Sequence, residues 1–463
     1  MKFKYKYFTA VTALGILFLS GCKRGDDFYT SPNNPSVITP AVALTAIEVS
    51  TINTYESDLV KKAMIFSQQN VGSDAQMLQA NEYTLVDADY NNSWGQLYQA
   101  LYSAKDMRDK YGAANPYYAG MGAIIMAMNY GMLTDMWGDV PFNEALGALG
   151  NLKATYDPQE VVLKGIVALL DESIVDLAKD ASDNKFLPGP DDLIFGGDVK
   201  KWTKVAYTLK ARYLNRLSKK TTYDPATILD CLSKGISQTD EDLIAIHGSD
   251  AASENNWVDF INNRVGYIVA SEPFVDSLKL RPTDLRLNAY FDSTGLADVI
   301  GSPVAEPDAT ASPWGPYLLG ANLYAAGPDA STPVHLVTFV EAKFIEAEVK
   351  ARQNDATAFT ALNDAIKASC SLATGGVYDG ADIATYTAAN TNVSRVMYEK
   401  WLGLFGSAEP YNDYRRTGFP TLTPNPNGHI SVIPQRFPTP SSEKTGNSNA
   451  PDPALTAPVW FAQ

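Results

Sequence analysis

The chain has 463 residues, 45% of them hydrophobic, and a formal net charge of −15. That apolar content excludes global disorder, and the length fits two or three folding units or one large helical array. The negative charge argues against nucleic acid and anionic membrane surfaces as partners. Charged residues make up only 19%, below the usual quarter or so. Asn, Gln, Ser, Thr and 25 tyrosines fill the deficit. Such a surface suits uncharged polar ligands better than phosphates. Three cysteines and three histidines are too few for a disulfide framework or a Cys/His metal cluster.

Residues 1–21 read as a lipoprotein signal peptide. Lys2, Lys4 and Lys6 form a basic start. The apolar run Phe8 to Leu19 is too short to span a bilayer of roughly 30 Å as a helix. Leu19-Ser20-Gly21 then places small residues before Cys22, which becomes the lipidated first residue. The alternatives are an uncleaved anchor or an ordinary signal peptide. Losing the three lysines takes the net charge from −15 to −18. Residues 22–40 are polar and read as a flexible tether; its Asp26-Asp27 pair lies close behind the lipid.

From residue 41 the pattern is helical. Trp94, Leu97, Leu101 and Ala104 predict a helix over 92–110, and 117–136 reads as its partner after Asn115-Pro116. Asp157-Pro158-Gln159-Glu160 reads as N-cap, N1 proline and N3 acid, opening a helix with Val162, Ile166, Leu169, Leu170, Ile174 and Leu177 on one face. Asp198 caps a helix carrying Trp202, Val205, Leu209 and Leu217. Thr338 with Glu341 reads as a capping box before Phe339, Val340 and Phe344, and Phe359, Leu362 and Ile366 continue on a partner helix. Residues 398–405 form a shorter piece. Antiparallel pairs with short joins predict tetratricopeptide-like units, although the strict W-x2-L-G-x2-Y start is only partly matched at Trp94. The expected organisation is a helical-pair scaffold over 41–236, a loop-rich insertion over 237–334, and a last helical pair with a Pro-rich coil over 335–463, packed as one unit.

Five passages in order resemble the SusD/RagB-like nutrient-binding lipoproteins of Bacteroidetes. They are Leu133-Thr134-Asp135-Met136-Trp137-Gly138-Asp139-Val140-Pro141-Phe142; Asp198 with Lys201-Trp202; Thr338 to Glu348; Tyr414-Arg415-Arg416-Thr417-Gly418-Phe419-Pro420; and Ile433-Pro434-Gln435-Arg436-Phe437-Pro438 with Glu443 and Asn447. Thr439 departs from the family, where a Tyr often precedes the proline. The resemblance implies a mostly α fold in which tetratricopeptide-like helix pairs form a right-handed superhelical scaffold and loop insertions form the ligand face. It implies an extracellular-facing outer-membrane lipoprotein seated on a SusC-like TonB-dependent transporter, capturing an oligosaccharide or a peptide and delivering it. No catalysis is implied.

The motif residues Trp137, Gly138, Asp139, Pro141 and Trp202 are expected to be structural, closing helices and packing in the core. Arg415 and Arg416 fit a carboxylate ligand, or pair with acidic residues and pin the C-terminal coil; the second is the favoured reading. Ligand contacts are expected in loops, where aromatics cover sugar C–H faces and polar groups bond the hydroxyls. The first candidate cluster is Asp74, Gln76, Asn81, Tyr83 and Tyr90. The second is Trp314 with Tyr317 and Tyr324. A third, less favoured, is Trp257 with Asn255, Asn256, Arg264 and Tyr267. Asp87, Asp89 and Asn91 mimic a calcium loop, but Asn92 stands where Gly is needed and Tyr98 where Glu is needed, so an EF-hand is rejected. No cofactor is expected, and an irregular calcium site stays open. Cys231 and Cys370 either pair or remain buried thiols. A surface glycoside hydrolase and a pure protein-binding scaffold are the competing classes. No G-x-S-x-G, H-E-x-x-H or P-loop motif appears.

Overall fold

The computed structural model describes residues 39–147, 150–293, 297–315 and 330–463. Helices dominate. The chain enters α1 (Pro40–Tyr55) through Thr39, whose hydroxyl accepts the Val42 N–H, with proline at the first helical position. Next come α2 (Asp58–Phe66), β1 (Asn70–Gly72), α3 (Ala75–Asn81), α4 (Asn91–Tyr111) and α5 (Pro116–Trp137). Helix α5 carries no charge before Asp135, and every residue from Tyr117 to Trp137 is buried. A helix apolar on all sides belongs in the middle of a helical array. There α5 packs against α4 on one side and α6 (Gln159–Leu177) on the other, while α1 covers α4.

The array continues through α7 (Val199–Asn215) and α8 (Pro225–Lys234), then α12 (Phe339–Arg352), α13 (Ala358–Ala373) and α14 (Val393–Gly403), with α7 packing on α12. The expected tetratricopeptide-like helix pairs are therefore present. The close fit of α5 on α7 depends on a missing side chain. A Cβ on Gly131 would stand 1.7 Å from the buried Tyr213 hydroxyl oxygen. Gly131→Ala is expected to destabilise the chain by about 1–3 kcal/mol through overpacking, despite the better helix propensity of alanine. A denaturant midpoint equal to or above that of the parent would contradict this.

Two helix starts differ from the sequence reading. Asp157 does not cap α6. Its carboxylate accepts the Phe142 and Asn143 N–H groups at 2.9 and 2.8 Å, and its backbone bridges Val140. The α6 cap is Asp139, which accepts the Gln159 N–H at 2.8 Å. An acid twenty residues upstream wins because the Gly138 turn, at φ +83°, aims it there. At α12 only half of the expected box forms. Thr338 accepts the Glu341 N–H, but the Glu341 carboxylate turns to Arg212, and Asp242 takes the Phe339 N–H instead. Asp198 caps α7 as expected, accepting from Lys200 and Lys201.

The irregular stretch holds β2 (Leu243–Ala245), α9 (Asn256–Asn263), β3 (Ile268–Ala270), α10 (Glu272–Lys279) and α11 (Arg286–Tyr290). Its strands do not pair with each other. Strand β3 pairs antiparallel with β1, and β2 with β4 (Val334–Val337). Both pairings clamp the insertion to the scaffold. After α15 (Glu409–Thr417), the C-terminal coil runs back over the helices and carries the short α16 (Ser441–Gly446). Trp137 Nε1 donates to the Pro438 carbonyl at 2.9 Å, the Tyr411 hydroxyl to that of Pro434 at 2.7 Å, and Trp94 Nε1 to Glu443 at 3.2 Å.

The arginines of the Tyr414–Pro420 passage are buried. Arg415 donates to the Asp135 and Gln435 carbonyls, and Arg416 to Glu348, Asp413 and Ser218. They join helices and coil, leaving no face toward a ligand. Trp202, fully buried, donates from Nε1 to Asp192 at 2.8 Å. Pro141 lends its carbonyl to the Tyr98 hydroxyl. Cys231 and Cys370 are buried free thiols in separate apolar clusters, not a disulfide. Cys22 lies outside the described residues.

Candidate functional site

Strand β1 is the link between the early loop and the insertion. Its register sets Asn70 opposite Ala270 and Gly72 opposite Ile268. Gly72 lets the chain turn at once into α3, because a Cβ there would stand 1.9 Å from the Met77 carbonyl oxygen. Ser73 then donates its N–H to the Tyr267 carbonyl at 2.9 Å and its hydroxyl to that of Gly266. Thus the Asp74 loop sits beside the 264–267 turn. Residues 302–315 close the third side. Pro313 bridges Val269, Trp314 bridges Phe291, and Ser302 bridges Ser271.

Within this assembly the 261–268 stretch, Asp292 and the Pro313-Trp314 pair line a cleft of about 190 Å³. Its lining is apolar at Ile261, Val265, Ile268, Pro313 and Trp314 and polar at Asn262, Arg264 and Asp292. Helix α9 contributes Ile261 and Asn262, and the chain just after it Arg264, Val265, Gly266 and Ile268. Asn255 caps α9 by accepting the Trp257 and Val258 N–H groups. The helix is then bolted to the end of α1 through Glu56. Asn256 Nδ2 donates to its carboxylate at 2.7 Å, His247 Nε2 lies 2.8 Å from it, and Trp257 Nε1 donates to the Glu56 carbonyl at 2.9 Å. Burial alone would lower the His247 imidazole, but Glu56 outweighs it and lifts the ring above its ordinary value. Arg264 ends α9, exposed, with its guanidinium 5.6 Å from the Tyr267 ring centroid. Val265 beside it is 76% exposed. The cleft thus combines apolar surface with donors and a carboxylate, which suits a ligand with apolar C–H surface and hydroxyl groups.

The expected site residues divide. Asp74 is exposed and Gln76 half-exposed on the neighbouring loop, with one Asp74 oxygen used to cap α3. Tyr83 and Tyr90 are not platforms. Tyr83 is 3% exposed; its hydroxyl accepts the Asn425 N–H, its ring lies beneath Gly428, and burial pushes its hydroxyl up to about 12. Tyr90 packs edge-on against Trp137 and Phe437 under the C-terminal coil, with the Lys62 ammonium 4.6 Å from its ring centroid. Trp314 does reach the cleft, but as its inner wall, 1% exposed and tilted against Trp257 at 5.6 Å. Tyr317 and Tyr324 lie outside the described residues. Asn262 and Asp292 were absent from every sequence cluster. Asn262 follows Ile261 on a helix whose spacing was readable; nothing near Asp292 signalled its place.

The acids of the rejected calcium loop are spoken for: Asp89 lies 3.4 Å from Lys62, and Asp87 2.9 Å from Lys444. Among the described residues, no three His, Cys, Asp or Glu side chains gather to hold a metal ion. In the same residues no helix is long and apolar enough to cross a membrane.

A family model described as "Starch-binding associating with outer membrane" (SusD-like) matches residues 32–440. No curated protein matches the sequence. Among solved structures, a SusD/RagB family protein from Bacteroides thetaiotaomicron is 26% identical with a TM-score of 0.77, covering 92% of this chain and 99% of its own. A chitin-binding protein is 22% identical (TM-score 0.75), covering 92% of this chain and 100% of its own. A chitin-binding SusD homologue from Flavobacterium johnsoniae is 20% identical (TM-score 0.73), covering 91% and 98%. The helical-pair scaffold, the loop-built cleft and a match along nearly the whole described chain lead to one conclusion: the chain belongs to the SusD-like family of outer-membrane-associated proteins.

Proposed function

We propose that this chain is a binding subunit, with no catalytic step of its own, that captures an oligosaccharide in the cleft between α9, Asp292 and Trp314. It is held at the outer membrane through lipidated Cys22, faces outward, and passes its ligand to a TonB-dependent transporter. The observation that carries the reading is the cleft itself. Three separate segments, 261–268, Asp292 and 313–314, converge on one cleft that mixes apolar surface with Asn262, Arg264 and Asp292. The family description and the chitin-binding neighbours support carbohydrate as the ligand class. Covering roughly 80 Å² of a sugar's C–H surface contributes about 2 kcal/mol before ordering costs. Two or three such contacts give micromolar to millimolar affinity, which suits capture followed by release.

Titration calorimetry with maltohexaose and chitohexaose tests the cleft. Arg264→Ala and Asn262→Ala are each expected to weaken binding about five- to tenfold, the effect of one lost hydrogen-bonding partner to a ligand. Binding that survives both changes would remove the cleft as the site. Binding to a peptide array but to neither sugar would replace the ligand class. Delivery requires that ligand bind the closed complex with the transporter more tightly than the free chain. An affinity indifferent to the transporter would exclude that step.

A further inference from the structure

A second concavity lies away from the cleft residues, where the turn after α10 meets the loop joining α13 to α14. Its volume is about 510 Å³, within the range of roughly 300–1,000 Å³ usual for small-molecule sites. Leu280, 80% exposed, and the half-buried Tyr386 ring supply apolar surface. Thr385, Asn390, Arg395 and Asp382 supply the polar groups.

The walls are fixed from behind. Arg281 donates to buried Glu399 at 2.8 Å, and the Tyr386 hydroxyl donates to the same carboxylate at 2.6 Å. The Tyr386 backbone exchanges two hydrogen bonds with the Asn363 side chain, at 2.8 and 2.9 Å. The Tyr378 hydroxyl donates to Asp382 at 2.6 Å. A ligand therefore meets a surface whose backbone is already ordered, and the ordering cost of binding falls. At the rim Asp382 already accepts from Tyr378 and Thr283, and the groups with capacity to spare are Arg395 and Asn390. Among the described residues the Arg395 side chain pairs with no carboxylate. Asn390 uses its Oδ1 on the Thr387 N–H and keeps Nδ2 for an outside acceptor.

The pattern selects a ligand type. Arg281 is neutralised by Glu399, and Arg395 and Asp382 bring one charge of each sign to the lining. No net field remains to favour an anion. What the lining offers is donors on Arg395 and Asn390 beside a carboxylate with lone pairs to spare, the complement of a hydroxyl, which both donates and accepts. We propose that this groove is a second carbohydrate-binding site, taking neutral, hydroxyl-rich sugar units of the glycan held in the cleft; the ligand class rests on the reading above. Two sites on one body would retain a polymer longer than a short oligomer, since the second contact is intramolecular.

Hydrogen–deuterium exchange on the chain from residue 23 to 463, with millimolar maltohexaose or chitohexaose, separates the two readings. The expected result is slowed exchange over 378–395 with one of these sugars. Arg395→Ala, an exposed change in the first turn of α14, should abolish it and leave protection over 262–268 intact. Arg264→Ala should do the reverse. Asn390→Ala should weaken the groove about fivefold, the effect of one hydrogen bond. No protection over 378–395 with either sugar overturns the groove, as does protection that survives the Arg395→Ala/Asn390→Ala double change. Protection there without any over 262–268 keeps the groove and removes the cleft.

Discussion

Arg216→Ala is expected to destabilise the chain by about 3–5 kcal/mol, the range for breaking a buried ion pair by removing one partner. Arg216 is 1% exposed. Its guanidinium donates to both Glu409 oxygens, at 2.6 and 2.7 Å, and to both Asp135 oxygens, at 3.2 and 3.0 Å. Truncation leaves two buried carboxylates close together, bridged by Asn412 Nδ2, with Arg212 3.9 Å from Glu409. Arg216→Lys keeps the charge but cannot reach both acids with one planar fork, so it should fall between. The deficit should also depend on pH. Burial would raise the Glu409 carboxyl, but Arg216, Arg212 and Lys400 outweigh it and hold it at about 2, against 4.5 in the unfolded chain. A folded value below the unfolded one means stability that is present above about pH 4.5 and lost as pH falls through about 2. In the variant the orphaned carboxyls take up protons more readily when folded. Its deficit should therefore shrink between about pH 7 and pH 4, measured by urea midpoints at each. An equal deficit at both, or one below about 1 kcal/mol, would show that the network is not held by its charges.

The helices were legible in the sequence and the site was mostly not, for a physical reason that can be traced residue by residue. Helix α5 announces itself by Asn115-Pro116 before it, an uncharged apolar run, and Gly138 after it; all three signals act within a few residues. Asp198 is legible for the same reason. The failures come where a distant partner competes with a local one. Asp157 sits in good capping sequence, yet the Phe142 and Asn143 amides take its carboxylate. Glu341 sits at the third position of a box, yet Arg212, more than a hundred residues upstream, takes it. Arg415 and Arg416 were readable as groups needing acidic or carbonyl partners, but not which partners. Tyr83 and Tyr90 show the limit most plainly. Both stand in a loop-rich stretch and read as platforms; what covers them is a C-terminal coil more than three hundred residues away, at Asn425, Gly428 and Phe437. The cleft inverts this. Its wall residue Trp314 drew attention for its size. Asp292, a lone acid in an aperiodic stretch, becomes visible only once Phe291 is bridged to Trp314.

Glu48→Gln is expected to make the chain more stable, and increasingly so as pH rises. Glu48 is fully buried on α1. One oxygen accepts the Leu193 N–H at 2.8 Å, and the other receives no hydrogen bond. Its neighbour Asp192 is well served: Ile194 and Phe195 N–H groups at 3.0 Å, and the Gly197 N–H and Trp202 Nε1 at 2.8 Å. Burial first, and the Asp192 charge second, then push the Glu48 carboxyl up to about 9, from 4.5. A folded value above the unfolded one means stability that is present below about pH 4.5 and lost as pH climbs through about 9. The loss is at most about 1.4 kcal/mol for each pH unit in that window. A carboxamide has the same shape, accepts the Leu193 N–H with its oxygen and can donate to Asp192, and it has no proton to lose. The variant should match its parent near pH 4.5 and exceed it by about 1–3 kcal/mol near pH 8, with a flatter profile between. Glu48→Ala separates this from a packing effect, because it removes the charge but opens a cavity and strands the Leu193 amide. Parallel profiles for Glu48→Gln and parent across that window would mean that Glu48 is ionised in the folded chain. The loop from Pro188 to Gly197, which leads into α7, would then rest on two adjacent buried charges.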